Sequence, residues 1–144
     1  NLKKVKLKLD LNNFYIKIST LDPTLYYNSI EFPLEKLSFS IAIKSYLNEE
    51  FGIKKASIET KYNKITNFLN TYQSETGSVQ FFILSKTLKK GDVKFVVDFE
   101  FDEKGKINNN YIINGEIKDT KIEIFKDYDF NHLNFDFKIK KKQL

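Results

Sequence analysis

The sequence predicts a mainly β chain of about eight antiparallel strands with one or two short helices. Three observations lead there. Apolar and polar residues alternate over most of the length, which puts alternate side chains on opposite faces of a strand. The breaks between these runs are short, which favours antiparallel neighbours. Helical spacing is confined to one stretch and one further turn.

The elements follow in order. Val5, Leu7, Leu9 and Leu11 share one face, with Lys6, Lys8 and Asp10 on the other. Asn12-Asn13 breaks the run, and Phe14, Ile16 and Ile18 resume it with Lys17 opposite. Asp22-Pro23 marks a turn. Leu25 to Phe32 reads as a short irregular hairpin around Asn28-Ser29. Pro33 ends it, because proline has no N–H for a ladder. Leu37, Phe39, Ile41 and Ile43 form the next strand. Ser45 to Phe51 fits a helical turn closed by Gly52 as a C-terminal cap. Ile53 to Thr60 alternates through Ala56 and Ile58. Asn63 is placed to cap a helix through Tyr72, with Ile65, Phe68, Leu69 and Tyr72 at helical spacing. Gln73 to Ser78 is polar and loop-like.

The last third is the most regular. Val79 to Leu84 is apolar apart from Gln80, and Lys90-Gly91-Asp92 reads as a turn. Val93, Phe95, Val97, Phe99 and Phe101 share a face. Lys94, Asp98, Glu100 and Asp102 take the other, with Val96 as the exception. Glu103-Lys104-Gly105-Lys106 reads as a hairpin loop. Tyr111, Ile113, Gly115 and Ile117 return, Ile122 and Ile124 follow Asp119, and Leu133, Phe135, Phe137 and Ile139 finish.

Composition bounds the chemistry. The 144 residues suit one unit spanning 1–144, and a chain of this size can bury about 68–70% of its unfolded surface. It has no cysteine, so neither a disulfide framework nor a thiolate metal site can form. All 24 of its basic residues are lysine, against 19 acids. They are mixed along the strands, as on a solvated face. No apolar run approaches the roughly 18 residues of a membrane span, and no signal peptide is visible. The chain starts at Asn1 with strand-like pattern at both ends, which reads as a segment of something longer.

Catalytic constellations find little support. His132 is the single histidine, without a nucleophile turn around it, and reads as a surface or structural residue. Asp127, Asp129 and Asn131 open like a calcium loop. The pattern then fails, with His132 where glycine and Lys138 where glutamate is needed. Asp98, Glu100, Asp102 and Glu103 are acidic but sit among lysines on the polar face, where no burial raises a carboxyl pKa. No phosphate-binding glycine loop is present. Nucleic acid is a rival partner at a pI near 9.2. Stacking platforms need aromatics beside cations, however, and here most aromatics lie on the face opposite the lysines. The basic tail Lys138, Lys140, Lys141 and Lys142 reads as a strand end with a solvated face. The expectation is a non-enzymatic chain with no metal, no cofactor and no nucleic-acid partner.

What remains is the apolar face. Val93 to Phe101 spans about 27 Å at roughly 3.4 Å per residue, and the helical material is too scarce to cover a sheet of that length. Either the sheet folds on itself around a dry core, as a structural or adhesive β domain, or it leaves a binding surface.

Phe39-Ser-Ile-Ala-Ile-Lys-Ser-Tyr-Leu47, then Gly52-Ile-Lys-Lys-Ala-Ser-Ile58 and the helix Ile65-Thr-Asn-Phe-Leu69, resemble AsmA-like envelope proteins of Gram-negative bacteria. The segment from Gly91 through Lys104-Gly-Lys-Ile107 to Tyr111-Ile-Ile-Asn-Gly-Glu-Ile-Lys-Asp119 is similar to that family's strand, turn and returning strand. The resemblance covers nearly the whole chain. It implies an elongated antiparallel sheet curled into a hydrophobic groove. It further implies phospholipid transport between inner and outer membranes and outer-membrane assembly, as for the TamB and YhdP branches. The chain would then be periplasmic, with an inner-membrane anchor outside it. The expected partners are phospholipid acyl chains. The expected lining is Val93, Phe95, Val97, Phe99, Phe101, Phe135, Phe137 and Ile139. Charge should not be tolerated there, so Val97→Asp or Phe99→Asp should abolish lipid retention.

Overall fold

The short connections fold as a meander. The computed structural model describes residues 4–27, 30–77, 79–108, 111–125 and 128–140. Its strands are β1 (Lys4–Asp10), β2 (Tyr15–Leu21), β3 (Thr24–Tyr27), β4 (Ile30–Ala42), β5 (Ile53–Thr60), β6 (Asn63–Lys64), β7 (Leu88–Glu100), β8 (Ile112–Phe125) and β9 (Tyr128–Lys140). Three helices, α1 (Ile43–Leu47), α2 (Ile65–Thr76) and α3 (Val79–Thr87), interrupt them. All nine strands belong to one open antiparallel sheet of order β1-β2-β4-β5-β7-β8-β9, with β3 paired to β4 and β6 to β7. The mainly β, antiparallel expectation holds, with three short helices rather than one or two.

Several local signals resolve differently from the sequence reading. Asp22-Pro23 does not reverse the chain. Tyr15–Leu21 and Thr24–Tyr27 pair with the same edge of β4 in one unbroken register. Asp22, at φ 53°, and Pro23 merely interrupt the ladder, with Asp22 N–H still donating to the Glu35 carbonyl. The hairpin that follows has its Asn28-Ser29 tip outside the described residues.

Pro33 lies inside β4 instead of ending a strand. Its carbonyl accepts the Lys61 N–H, where the chain has left the β4–β5 ladder at Leu34–Thr60. The missing proline N–H therefore breaks no pair. The turn expected at Lys90-Gly91-Asp92 is a bulge within β7, with Gly91 at φ 151° against Thr120.

The helices also differ. α1 closes on Glu49 at φ 55°, with Asn48 N–H donating to Lys44, and Gly52 has already joined the ladder by accepting from Ala42. Asn63 is no helix cap, because its amide donates to the Lys61 and Pro33 carbonyls. α2 continues through the stretch read as loop. The apolar run from Val79 is α3. Phe14, read as strand, is a turn residue at φ 55°.

The core sits under α2. Ile65 and Leu69, four residues apart and so on one helix face, pack with Leu88, Val93 and Ile117 of the sheet. Phe68 joins Phe32 at 4.8 Å and Phe95 at 5.0 Å between ring centroids. Each such fully buried side chain contributes about 1.5–3 kcal/mol relative to exposure.

Candidate functional site

Strand register assembles the apolar face from the residues upward. Residues directly opposite in an antiparallel pair lie on the same face. One row runs Val5, Thr20, Leu37, Ile58, Val97, Ile113 and Ile139 across seven strands. The next runs Leu7, Ile18, Phe39, Ala56 and Phe99, where the Phe99 ring meets Tyr111 at 6.4 Å. A third holds Leu9, Ile16, Ile41 and Ile53. In the other direction from the Val97 row come Phe95, Gly115 and Phe137, then Val93, Ile117 and Phe135.

Seven of the eight expected lining residues therefore share one continuous surface. Phe101 follows just after β7, bridges to Ile107 and meets Phe51 at 5.8 Å.

Helices divide this surface in two. α2 covers Val93, Phe95 and Phe137, which belong to or flank the buried core. Both longer helices contact β7, and α3 also reaches β8. At the other end lie the Leu7–Phe99 and Leu9–Ile53 rows. Their central members Ile18, Phe39, Phe99, Ile16, Ile41 and Ile53 are only half-buried, and the rows open onto Leu7, 69% exposed, at the β1 edge. On the far side Ile139 is 50% exposed. Val97 is 7% exposed and marks the boundary.

The sequence did not single out Leu7, Ile18, Phe39 and Ile41 as site residues. Their alternation was visible, but only the register puts them beside Phe99.

The polar groups are engaged in local structure. Lys94 lies between Glu35 at 2.7 Å and Glu59 at 3.3 Å, and the hydrogen bond to Glu35 leads in raising its pKa. Of the acidic cluster, Glu100 pairs with Lys55 at 2.8 Å. Asp102 accepts the backbone N–H groups of Lys106 and Lys104, which hold it below the usual carboxylate range. Asp119 is lowered mainly by Lys90, and also by His132, whose Nδ1 lies 2.6 Å away. Glu116 is lowered first by the Tyr62 hydroxyl.

Asn131 sits within β9, and Asp127 falls outside the described residues. Among the described residues no three His, Cys, Asp or Glu side chains are grouped to hold a metal ion, and no helix is long and apolar enough to cross a membrane.

Among the described residues, fold and surface define an open antiparallel meander with one apolar face, on which α2 and α3 pack at one end. No protein-family profile, curated protein or solved structure matches the chain.

Proposed function

We propose that the chain is a non-enzymatic lipid-binding segment. Phospholipid acyl chains lie over the uncovered end of the apolar face, with headgroups in water beyond the sheet edge. The observation that carries this reading is the pair of half-buried apolar rows from Leu7 to Phe99 and from Leu9 to Ile53, which lead to an exposed edge and lie, among the described residues, away from the strands that α2 and α3 pack on. Burial at about 25 cal/mol per Å2 gives a non-directional driving force. A surface without hydrogen-bonding groups accepts many acyl chains. Phe99, Phe101, Phe135 and Ile139 keep the lining role, Val97 marks its buried boundary, and Val93, Phe95 and Phe137 lie in or against the core under α2. The resemblance to AsmA-like proteins supports placing such a segment in phospholipid transport and outer-membrane assembly, in the periplasm, on an anchor outside this chain.

A structural domain with a closed core is the second reading. It draws on the α2-covered end, where the packing is that of an ordinary core.

Mass spectrometry of lipid co-purifying with the chain tests the proposal. Phospholipid should accompany the native chain and be lost from Phe99→Asp, which remains folded by circular dichroism. Phe99 is the better site than Val97, because a charge at a 7% exposed position unfolds the sheet for unrelated reasons. A folded native chain that carries no lipid and takes none from phospholipid vesicles would sink the proposal in favour of the closed core.

A further inference from the structure

The last strand of the sheet carries a self-complementary pattern. β9 has β8 on one side and, among the described residues, no strand on the other. Such a strand can pair through its backbone with a strand of another chain. No proline interrupts β9, and from Phe135 to Lys140 it keeps one register with β8. Before that run the register shifts and His132 stands at φ 55°, so the regular stretch is short.

Two copies of one strand pair antiparallel about a two-fold axis normal to the sheet. The two apolar faces then lie on the same side, and residues equidistant from the axis stand opposite each other. With the axis at Phe137, Phe135 meets Ile139 of the second copy on the apolar face, and Asp136 meets Lys138 on the polar face. Symmetry repeats both pairs. Moving the axis to Asp136 sets that residue against itself, and moving it to Lys138 does the same for Lys138. Like charges directly opposite are destabilising, so charge selects the Phe137 register.

Within the chain β8 gives neither group an opposite charge, because Glu116 stands opposite Asp136 and Asn114 opposite Lys138. The Phe137 ring lies back over Gly115 of β8, which keeps two rings from colliding at the axis. Phe135 and Ile139 are exposed and cover each other when paired. The same operation on β1, about Lys6 or Leu7, opposes lysine to lysine.

We propose that β9 pairs with β9 of a second copy of this chain, centred on Phe137, and joins two sheets into one. Residues 135–139 make a contact much shorter than the roughly 20–30 residues a side of a standard interface, so the dimer dissociates on dilution. It is also closed, because an isologous contact uses the β9 edge of both copies. This contact does not depend on lipid binding at the apolar face.

Sedimentation equilibrium of the full chain over a wide concentration range tests it. The expected result is a monomer–dimer equilibrium with no larger species. Asp136→Lys and Lys138→Asp should each weaken association at least tenfold, since symmetry makes one substitution create two like-charge pairs. Both positions are exposed, so both variants should keep the native circular dichroism. Mixed in equal amounts, the two variants should dimerise again, because each then meets opposite charges. The double variant Asp136→Lys/Lys138→Asp should dimerise alone, and Phe99→Asp should dimerise as the native chain does. A chain that stays monomeric at every concentration overturns the proposal. So does association that the single variants leave intact, that mixing them fails to restore, or that grows beyond the dimer.

Discussion

Single residues show how tightly the strands are fitted. Gly115 carries the Phe137 ring directly over its Cα, and an added Cβ would also stand 2.8 Å from the Lys94 carbonyl oxygen. Its backbone is not in the left-handed region, so the constraint is space alone. Gly115→Ala is expected to destabilise the chain by about 1–3 kcal/mol, seen as a lower urea midpoint. Adding Phe137→Leu should recover only part of that, because the Lys94 carbonyl remains. Asp119 offers a pH-dependent counterpart. Its carboxyl is held below the ordinary value of 3.8, first by Lys90 and then by His132. A depressed folded-state pKa means that its contribution is present above the unfolded value and is lost as pH falls through the folded one. The urea midpoint should therefore drop as pH falls below about 4, and Asp119→Asn should flatten that part of the profile. The Asp119 side chain is 40% exposed, so solvent screens the interaction and the change is small.

Elements were legible in proportion to how far they obey one period. Every long alternating run became a strand. From Val93 to Phe99, and from Phe135 to Ile139, the side of the sheet followed from period two alone. What the alternation could not carry was the meaning of interruptions. Asp22-Pro23, Pro33 and Lys90-Gly91-Asp92 carry turn chemistry, yet each lies within or between collinear strands, because neighbouring ladders absorb the missing or displaced hydrogen bond. Val79 to Leu84 was ambiguous for another reason, since a short apolar run has no period to distinguish strand from helix. The site was half legible. The sequence named the β7 and β9 contributions but could not show that α2 covers Val93, Phe95 and Phe137 or that β1, β2 and β4 extend the face. The two longer helices should respond differently to mutation. Leu69→Ala in α2 empties a buried position and should cost about 2–5 kcal/mol. Ile83→Asn in α3, where Ile83 is 58% exposed, should change stability by no more than about 0.5 kcal/mol. Denaturant titration of both variants distinguishes a covering helix from a peripheral one.

At the scale of the whole molecule, the defining feature is that the sheet does not close. Among the described residues β1 and β9 end the strand order, and each has a sheet neighbour on one side only. Such edges invite pairing with another chain unless something blocks them. On β1 the apolar side chains Val5, Leu7 and Leu9 are already exposed, so the block has to come from the other face, where Lys4 and Lys6 accompany Lys8. Two β1 strands paired edge to edge would bring these lysines within a few ångströms of one another, and repulsion would oppose the gain from burying the leucines. Removing that charge should tip the balance. Lys4→Val/Lys6→Val is expected to sediment as a dimer or larger species at concentrations where the native chain sediments as one. High salt should move the native chain in the same direction, because it screens exposed charges over about 10 Å or less. A double variant that stays monomeric would mean that the twist of the edge, rather than its lysines, keeps β1 unpaired.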